Sequence, residues 1–153
     1  MDQMEWKVLK EIAELERVPQ GAYNFRVNGQ LDDRKVTANI DIASKTDGKP
    51  GIDITVKPGT KGESVHIPVV LSMTGLVDVV YNDFYIGEGA DVDIVAGCGI
   101  HNTGCETSQH DGIHVFHIGK NARVRYVERH YGEGPGTGAR ILNPRTEVYL
   151  EEG

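Results

Sequence analysis

The sequence lacks any long apolar run and any dense patch of basic residues. Its apolar stretches fall far short of the ~20 residues that cross a membrane, and the segment MDQMEWKVLKEIAELERV carries acidic residues where a signal peptide needs an unbroken apolar core. The formal net charge is −7, and the lysines and arginines are scattered, unlike the basic surface of a nucleic-acid-binding protein. These absences predict a cytoplasmic protein with no membrane insertion and no nucleic-acid partner.

Cysteine is also scarce, with only Cys98 and Cys105 in 153 residues. In a cytoplasmic protein two such cysteines are more often reduced thiols than a structural disulfide. The phosphate-binding motif G-x-x-x-x-G-K-[ST] and the nucleophile elbow G-x-S-x-G are both missing. The glycine-rich segment GEGPGTGAR is therefore predicted to be a loop, and the chain is not predicted to be an ATPase or another enzyme.

One amphipathic helix is predicted near the start of the chain. Asp2 is followed three residues later by Glu5, which is the spacing of a capping box. Apolar residues recur at helical spacing over residues 6–12. We therefore predict a helix over residues 3–17, within an N-terminal helix and linker segment of residues 1–20, and expect its apolar stripe to pack on its own domain.

Beyond residue 20 the sequence consists of short apolar and β-branched runs separated by glycine, and part of it repeats. The segments FYIGEGADVDIVAG (84–97) and FHIGKNARVRYVER (116–129) superpose with an offset of 32 residues, and VYLEEG (148–153) begins a third copy. Alternation within a copy, with the same residue type at the same position in each copy, is what stacked β-coils require. The repeat predicts a mainly β solenoid over residues 21–153.

A weaker copy at 52–68 is predicted to form the first coil, with Ile54 above Ile86. The third copy stops half built, so we expect the β domain to be truncated at its C-terminal end or completed by a second subunit in a homo-oligomer. The alternative architecture is a β-sandwich with similar strands. In a sandwich Ile86 and Ile118 would lie on facing sheets about 10 Å apart, whereas in a solenoid they lie in adjacent strands.

Both cysteines and four of the six histidines lie in VAGCGIHNTGCETSQHDGIHVFH, residues 95–117. Thiolate and imidazole are ligands that suit iron, zinc and iron–sulfur clusters. Each residue alone also has an ordinary structural explanation, as a small buried thiol or a hydrogen-bonded histidine. The clustering therefore supports a metal site formed by the group, whose candidate ligands are Cys98, His101, Cys105, His110 and His114.

The offset of 32 residues also predicts a column of polar side chains. His66, Cys98 and His130 are separated by this offset, so in a strict solenoid the thiol lies between two imidazoles, ~4.8 Å from each strand neighbour. Cys98 is then the primary ligand for iron or a cluster, with His66 and His130 beside it. The position of His66 depends on the register of the weakest repeat.

Several segments resemble the SufB/SufD family of iron–sulfur assembly proteins, in particular its short stand-alone branch in anaerobes and archaea. They are GAYNFRVNG, KPGTKGESVHIPVVLS, VVYNDFYIGEGADVDIVAGCGIHN, SQHDGIH and ILNPRTEVYLEEG, which together span nearly the whole chain. The resemblance implies a right-handed parallel β-helix, a transiently bound iron–sulfur cluster or iron, a dimer, and a SufC-like ABC ATPase as partner. Relatives continue past the position of Gly153 to the region that binds the ATPase, so this chain corresponds to an N-terminal portion and is expected to lack that interface.

Three functions are compatible with these observations. The leading hypothesis is a non-enzymatic scaffold that binds iron or a nascent cluster through Cys98 with help from histidines and carboxylates. The second is a cupin-like mononuclear metalloenzyme using His110, His114 and His117, although strand alternation places His114 and His117 on opposite faces. The third is a metal-free β-solenoid that serves as an interaction module.

Overall fold

The protein is described by a computed structural model that covers residues 1–13 and 19–153. The elements in these ranges are α1 (Gln3–Ala13), β1 (Ala22–Val27), β2 (Gln30–Lys35), β3 (Ile40–Ser44), β4 (Gly51–Val56), β5 (Lys61–Leu71), β6 (Val77–Ile86), β7 (Asp91–His101), β8 (Ser108–Ile118), β9 (Arg123–Glu133) and β10 (Arg140–Leu150). Across the described residues, no helix has the length and apolar character that crossing a membrane requires.

The strands form two facing five-stranded sheets. Sheet A has the order β2-β1-β5-β7-β9, and sheet B has the order β10-β8-β6-β4-β3. From β5 onward the chain alternates between the sheets, so each pair of consecutive strands makes one coil and neighbours within a sheet run parallel. Among the strands of the described residues, two pairs are antiparallel: β2 with β1, and β3 with β4. This confirms the predicted mainly β parallel solenoid with an N-terminal helix.

Equivalent residues of successive copies stack as the repeat predicted. Ile118 pairs with Ile86 on one side and with Leu150 on the other, across β6, β8 and β10. Phe84 pairs with Phe116 in the same register, and their rings stack with centroids 4.3 Å apart. These pairs lie in adjacent strands of one sheet, so the β-sandwich alternative is wrong.

The turns that lead from sheet B back to sheet A repeat as well. Residues 87–90 and 119–122 each close a turn with a backbone hydrogen bond of 3.1 Å. The third residue of each turn, Gly89 or Asn121, has a φ of 70° or 57°. This left-handed conformation is least costly for glycine and asparagine, which explains why these residue types occupy equivalent positions.

The first coil departs from the spacing of the others. Ile54 pairs with Phe84 and not with Ile86, so the predicted alignment of the first copy is wrong by two residues. A bulge at Gly62, whose φ is 68°, then shifts β5 by one further residue relative to β7. Relative to the predicted offset of 32 residues, the two irregularities together shift the register of β5 by an odd number of residues. The side chains of β5 that were predicted to face inward therefore face outward, and the reverse.

The helix α1 packs on the outer face of sheet A. It begins with the predicted capping box: the Glu5 amide donates to Asp2 at 2.8 Å, and the Asp2 amide donates to Glu5 at 2.9 Å. Val8, Leu9 and Ile12 are fully buried in a cluster that includes residues of β1 and β5, and the helix also lies against β7 and β9. The apolar stripe therefore packs on the domain as expected, while the predicted helix end at residue 17 lies outside the described residues.

We expect Gly99→Val to displace α1 and to lower the free energy of unfolding by about 1–3 kcal/mol. A Cβ on Gly99 would lie 2.2 Å from Cγ1 of Val8, so the strand surface must stay flat where the helix lies on it. Urea unfolding followed by the fluorescence of Trp6, the one tryptophan of the chain, measures this loss. Val8→Ala removes the clashing methyl group and should restore part of the stability in the double variant. If Gly99→Val lowers the free energy of unfolding equally in the wild type and in Val8→Ala, helix displacement is contradicted.

Candidate functional site

Five polar side chains meet between the two sheets in the last two coils. They line a cavity of about 10 Å³, which is the space of roughly one water molecule. We call this cavity and its polar lining the interior chamber: Cys98 on β7, His110 and His114 on β8, and Glu128 and His130 on β9. Four of the five were predicted from the sequence as site residues.

Strand register brings these side chains together. Cys98 pairs with His130 across β7 and β9, in the register that the repeat predicted. His110 and His114 lie on alternate positions of β8 and face the same side, with Gly112 between them. Glu128 precedes His130 by two residues and shares its face, so β7 and β9 of sheet A and β8 of sheet B contribute to one cavity.

His66 does not join the chamber. It pairs with Val95, and Cys98 pairs instead with Val69. Because of the odd register shift of β5, His66 lies on the outer face, in a shallow cavity beside Ile12 of α1. The predicted column of three side chains is therefore wrong at His66 and holds only between Cys98 and His130.

His101 and Cys105 also lie outside the chamber. His101 ends β7, and its Nδ1 is 3.2 Å from Oε1 of Glu133, without the angle of a hydrogen bond. Cys105 is exposed in the turn between β7 and β8, and both cysteines are free thiols. Of the five candidate metal ligands, the structure therefore brings the other three together.

His117 faces outward from β8. Its ring stacks on Tyr85 at 4.9 Å and on Tyr149 at 5.6 Å, measured between ring centroids. The predicted placement of His114 and His117 on opposite faces is therefore confirmed. The three histidines of the cupin-like alternative do not meet at one site, and the strands form a solenoid rather than a barrel.

The thiol of Cys98 is held in its neutral form by its surroundings. Its side chain is almost completely buried, and burial raises its pKa well above the usual value. The negative charges of Asp78 and Glu128 raise the pKa further. A thiolate here needs a compensating cation, which a bound metal ion supplies.

His114 presents a neutral imidazole with one unsatisfied nitrogen. Burial lowers its pKa to about 4, with the charge of Glu128 acting in the opposite direction. Its Nε2 lies 3.3 Å from Oε1 of Glu128. Its Nδ1 is buried without a hydrogen-bond partner, an arrangement that costs about 1–3 kcal/mol and is rare in folded proteins.

Glu128 is the chamber residue that sequence reasoning missed. Its carboxylate accepts a hydrogen bond from the hydroxyl of Tyr126 at 2.9 Å. It lies within 3.4 Å of Nε2 of both His114 and His130. The signal that could have found it is its position two residues before His130, on the same strand face.

Gly112 leaves the space into which the two β8 histidines project. A Cβ at this position would lie 3.1 Å from Nε2 of His110 and 3.1 Å from Nε2 of His114. Any side chain at residue 112 would therefore fill the gap between these nitrogens. The absence of a side chain lets Nε2 of both rings face the chamber, where Nε2 of His114 meets Glu128.

A buried carboxylate, which is paired with Arg26, adjoins the chamber. Asp78 on β6 is 4% exposed and pairs with His110 in the adjacent strand. Burial raises the pKa of its carboxyl group, but hydrogen bonds from His110 and Arg26 dominate and lower it to about 2. Asp78 is therefore a carboxylate at neutral pH.

The chamber is not a closed coordination shell as it stands. Among the described residues, no three side chains of His, Cys, Asp or Glu form a group that could hold a metal ion in their present arrangement. The donors instead contact each other in short pairs, such as His114 with Glu128 and His110 with Asp78. To bind a metal ion here, these side chains must give up their contacts with one another and contact the metal instead.

The chain has no match among protein-family models, curated proteins or solved structures. The resemblance to the SufB/SufD family therefore stays a prediction from the sequence.

Proposed function

We propose that this protein is an iron–sulfur cluster assembly scaffold of the SUF type, which binds iron or a nascent cluster at the interior chamber through Cys98. The observation that carries the proposal is the convergence of a buried thiol, three imidazoles and a carboxylate on one cavity. Thiolate and imidazole suit iron and iron–sulfur clusters. In this role the protein holds its cargo and carries out no covalent catalysis.

The polar character of the chamber favours this function over a metal-free interaction module. The main core between the same two sheets is apolar, with Phe84, Ile94 and Phe116 almost fully buried. Burying polar groups costs free energy unless they are satisfied, and Nδ1 of His114 is not. A solenoid that served only as an interaction surface would gain stability from apolar side chains in the chamber.

The size of the chamber indicates how cargo is taken up. The present cavity of about 10 Å³ has room for a single ion but not for a cluster. β9 is the edge strand of sheet A, and the side chain of His130 is 28% exposed, whereas Cys98 is 1% exposed. We infer that iron enters past His130 and that a growing cluster displaces His130 or Glu128, because residues on an edge strand move at the lowest cost.

The resemblance to the SufB/SufD family supports the same function. It is also the basis for proposing a cytoplasmic location, a homo-oligomer and a SufC-like ABC ATPase as partner. None of these proposals is needed for the chamber to bind iron. They are tested separately, by light scattering for the oligomer and by co-purification for the ATPase.

Anaerobic reconstitution with ferrous iron and sulfide tests the proposed function. We expect the purified chain to gain visible absorption and to retain both iron and sulfide after desalting. His130→Ala should weaken retention by about tenfold or more, as is typical when a residue of a metal site is lost. His117→Ala removes an outward histidine from β8 and serves as the matched control. A chain that retains no iron, or equal losses in the two variants, would contradict the chamber as the binding site.

A further inference from the structure

Asp78 and Arg26 form a chain of contacts that ends at a chamber histidine. The Arg26 guanidinium donates from Nη2 to Oδ1 of Asp78 at 2.8 Å and from Nε to Oδ2 at 3.1 Å. Oδ2 of Asp78 also lies 3.1 Å from Nδ1 of His110, in a fully buried contact. Both carboxylate oxygens are therefore engaged, and one of them is shared between the guanidinium and the imidazole.

This contact selects one form of the His110 ring. A carboxylate only accepts hydrogen bonds, so Nδ1 of His110 must carry the proton in the contact with Asp78. In a neutral imidazole Nε2 then has a free lone pair. That nitrogen is the one that lies in the gap left by Gly112, beside Nε2 of His114.

Arg26 offsets the charge of the buried Asp78 carboxylate and holds the carboxylate in place. A guanidinium that donates to both carboxylate oxygens fixes their orientation as well as offsetting their charge. The bidentate contact with Arg26 supplies the compensating charge from β1. Oδ2 of Asp78 is thereby held 3.1 Å from Nδ1 of His110.

We infer that Asp78 is a positioning residue, which fixes the Nδ1-protonated form of His110 and directs its Nε2 lone pair into the interior chamber. Arg26 holds Asp78 in this role. The inference rests on the proposed function, because the chamber is where the lone pair is used. Carboxylate partners of metal-binding histidines act in this way, and their loss weakens metal affinity by roughly 10–100-fold.

The first test needs no variant. Long-range ¹H–¹⁵N NMR of the metal-free wild-type chain distinguishes the two neutral forms of each histidine ring. We expect His110 to carry its proton on Nδ1. A His110 ring protonated on Nε2 would overturn the inference.

The second test uses Co²⁺ as an optical probe for iron, because cobalt bound to a thiolate gives a charge-transfer band that reports on Cys98. Asp78→Asn should weaken Co²⁺ binding by about 10–100-fold while the band at saturation remains. The side-chain oxygen of the asparagine must accept the hydrogen bond from Arg26, so the NH2 group of the asparagine faces His110. Because that NH2 group donates to Nδ1, the ring should switch to the Nε2-protonated form. Both changes together are expected from loss of a positioning residue.

Asp83→Asn is the matched control. Asp83 lies on the same strand as Asp78, and its Oδ1 is 3.4 Å from Nε2 of the outward-facing His117. We expect this variant to bind Co²⁺ as the wild type does. A comparable loss of affinity in Asp83→Asn would overturn a specific role for Asp78.

The remaining outcomes separate this inference from the proposed function. A wild-type chain without a cobalt–thiolate band contradicts the proposed function. A wild-type chain with the band, together with an Asp78→Asn variant of unchanged affinity and unchanged His110 form, assigns Asp78 a purely structural role and overturns the inference. If Asp78→Asn does not fold, Arg26→Lys keeps the charge but loses the bidentate contact; we expect weaker Co²⁺ binding, and unchanged affinity would count against the inference.

Discussion

Cys98→Ser is expected to abolish retention of iron and sulfide after anaerobic reconstitution, while the far-ultraviolet circular dichroism spectrum stays unchanged. Cys98 is the only thiol that lines the interior chamber. A serine of similar size preserves the packing of the buried position but offers a hydroxyl, which is a poor ligand for iron at neutral pH. Iron and sulfide analysis of the desalted protein, with its visible spectrum, measures the effect.

Cys105→Ser is the control for this experiment, because Cys105 is exposed in the turn between β7 and β8. We expect this variant to retain iron and sulfide as the wild type does. Equal loading of wild type and Cys98→Ser would refute the chamber as the binding site. A loss in Cys105→Ser as large as that in Cys98→Ser would show that iron binds at surface thiols without selectivity.

The largest effect on stability is expected for Phe84→Ala, which should lower the free energy of unfolding by about 3–5 kcal/mol. Phe84 is fully buried, and its ring stacks on Phe116 with an interplanar angle of 4°. Removal of the ring leaves a cavity between the sheets and removes one member of the stack. Urea unfolding followed by circular dichroism measures the loss.

Val148→Ala is the matched control for Phe84→Ala, since Val148 pairs with Phe116 from the opposite side in the same column. It is 53% exposed, so its truncation should cost about 0.5 kcal/mol or less. A small effect of Phe84→Ala, similar to that of Val148→Ala, would mean that the core between the sheets does not stabilise the solenoid.

Local patterns were sufficient to predict the architecture. The repeat offset correctly predicted the stacking of Ile86, Ile118 and Leu150, because equal coils place equal positions above one another. Strand alternation correctly separated His114 from His117, since successive side chains point to opposite faces. The capping box depends on residues three positions apart, so it too could be predicted without knowledge of tertiary contacts.

The composition of the candidate site was predicted only in part. The adjacency of Cys98 and His130 follows from the repeat and was predicted correctly. The placement of His66 was predicted wrongly, because the length of the first coil and the bulge at Gly62 interrupt the repeat at that point. A single extra residue reverses the face of every side chain that follows in the strand, so small local irregularities have large effects on a site.

The polar partners of the chamber depend on contacts between distant parts of the chain. Arg26 reaches Asp78 across 52 residues of sequence, and no spacing rule relates their positions. Glu128 is one of many acidic residues, and only its inward position beside two histidines distinguishes it. Repetition and alternation thus determine the solenoid and the faces of its regular strands, whereas packing of the two sheets determines which charged groups are buried together, because that depends on through-space distance.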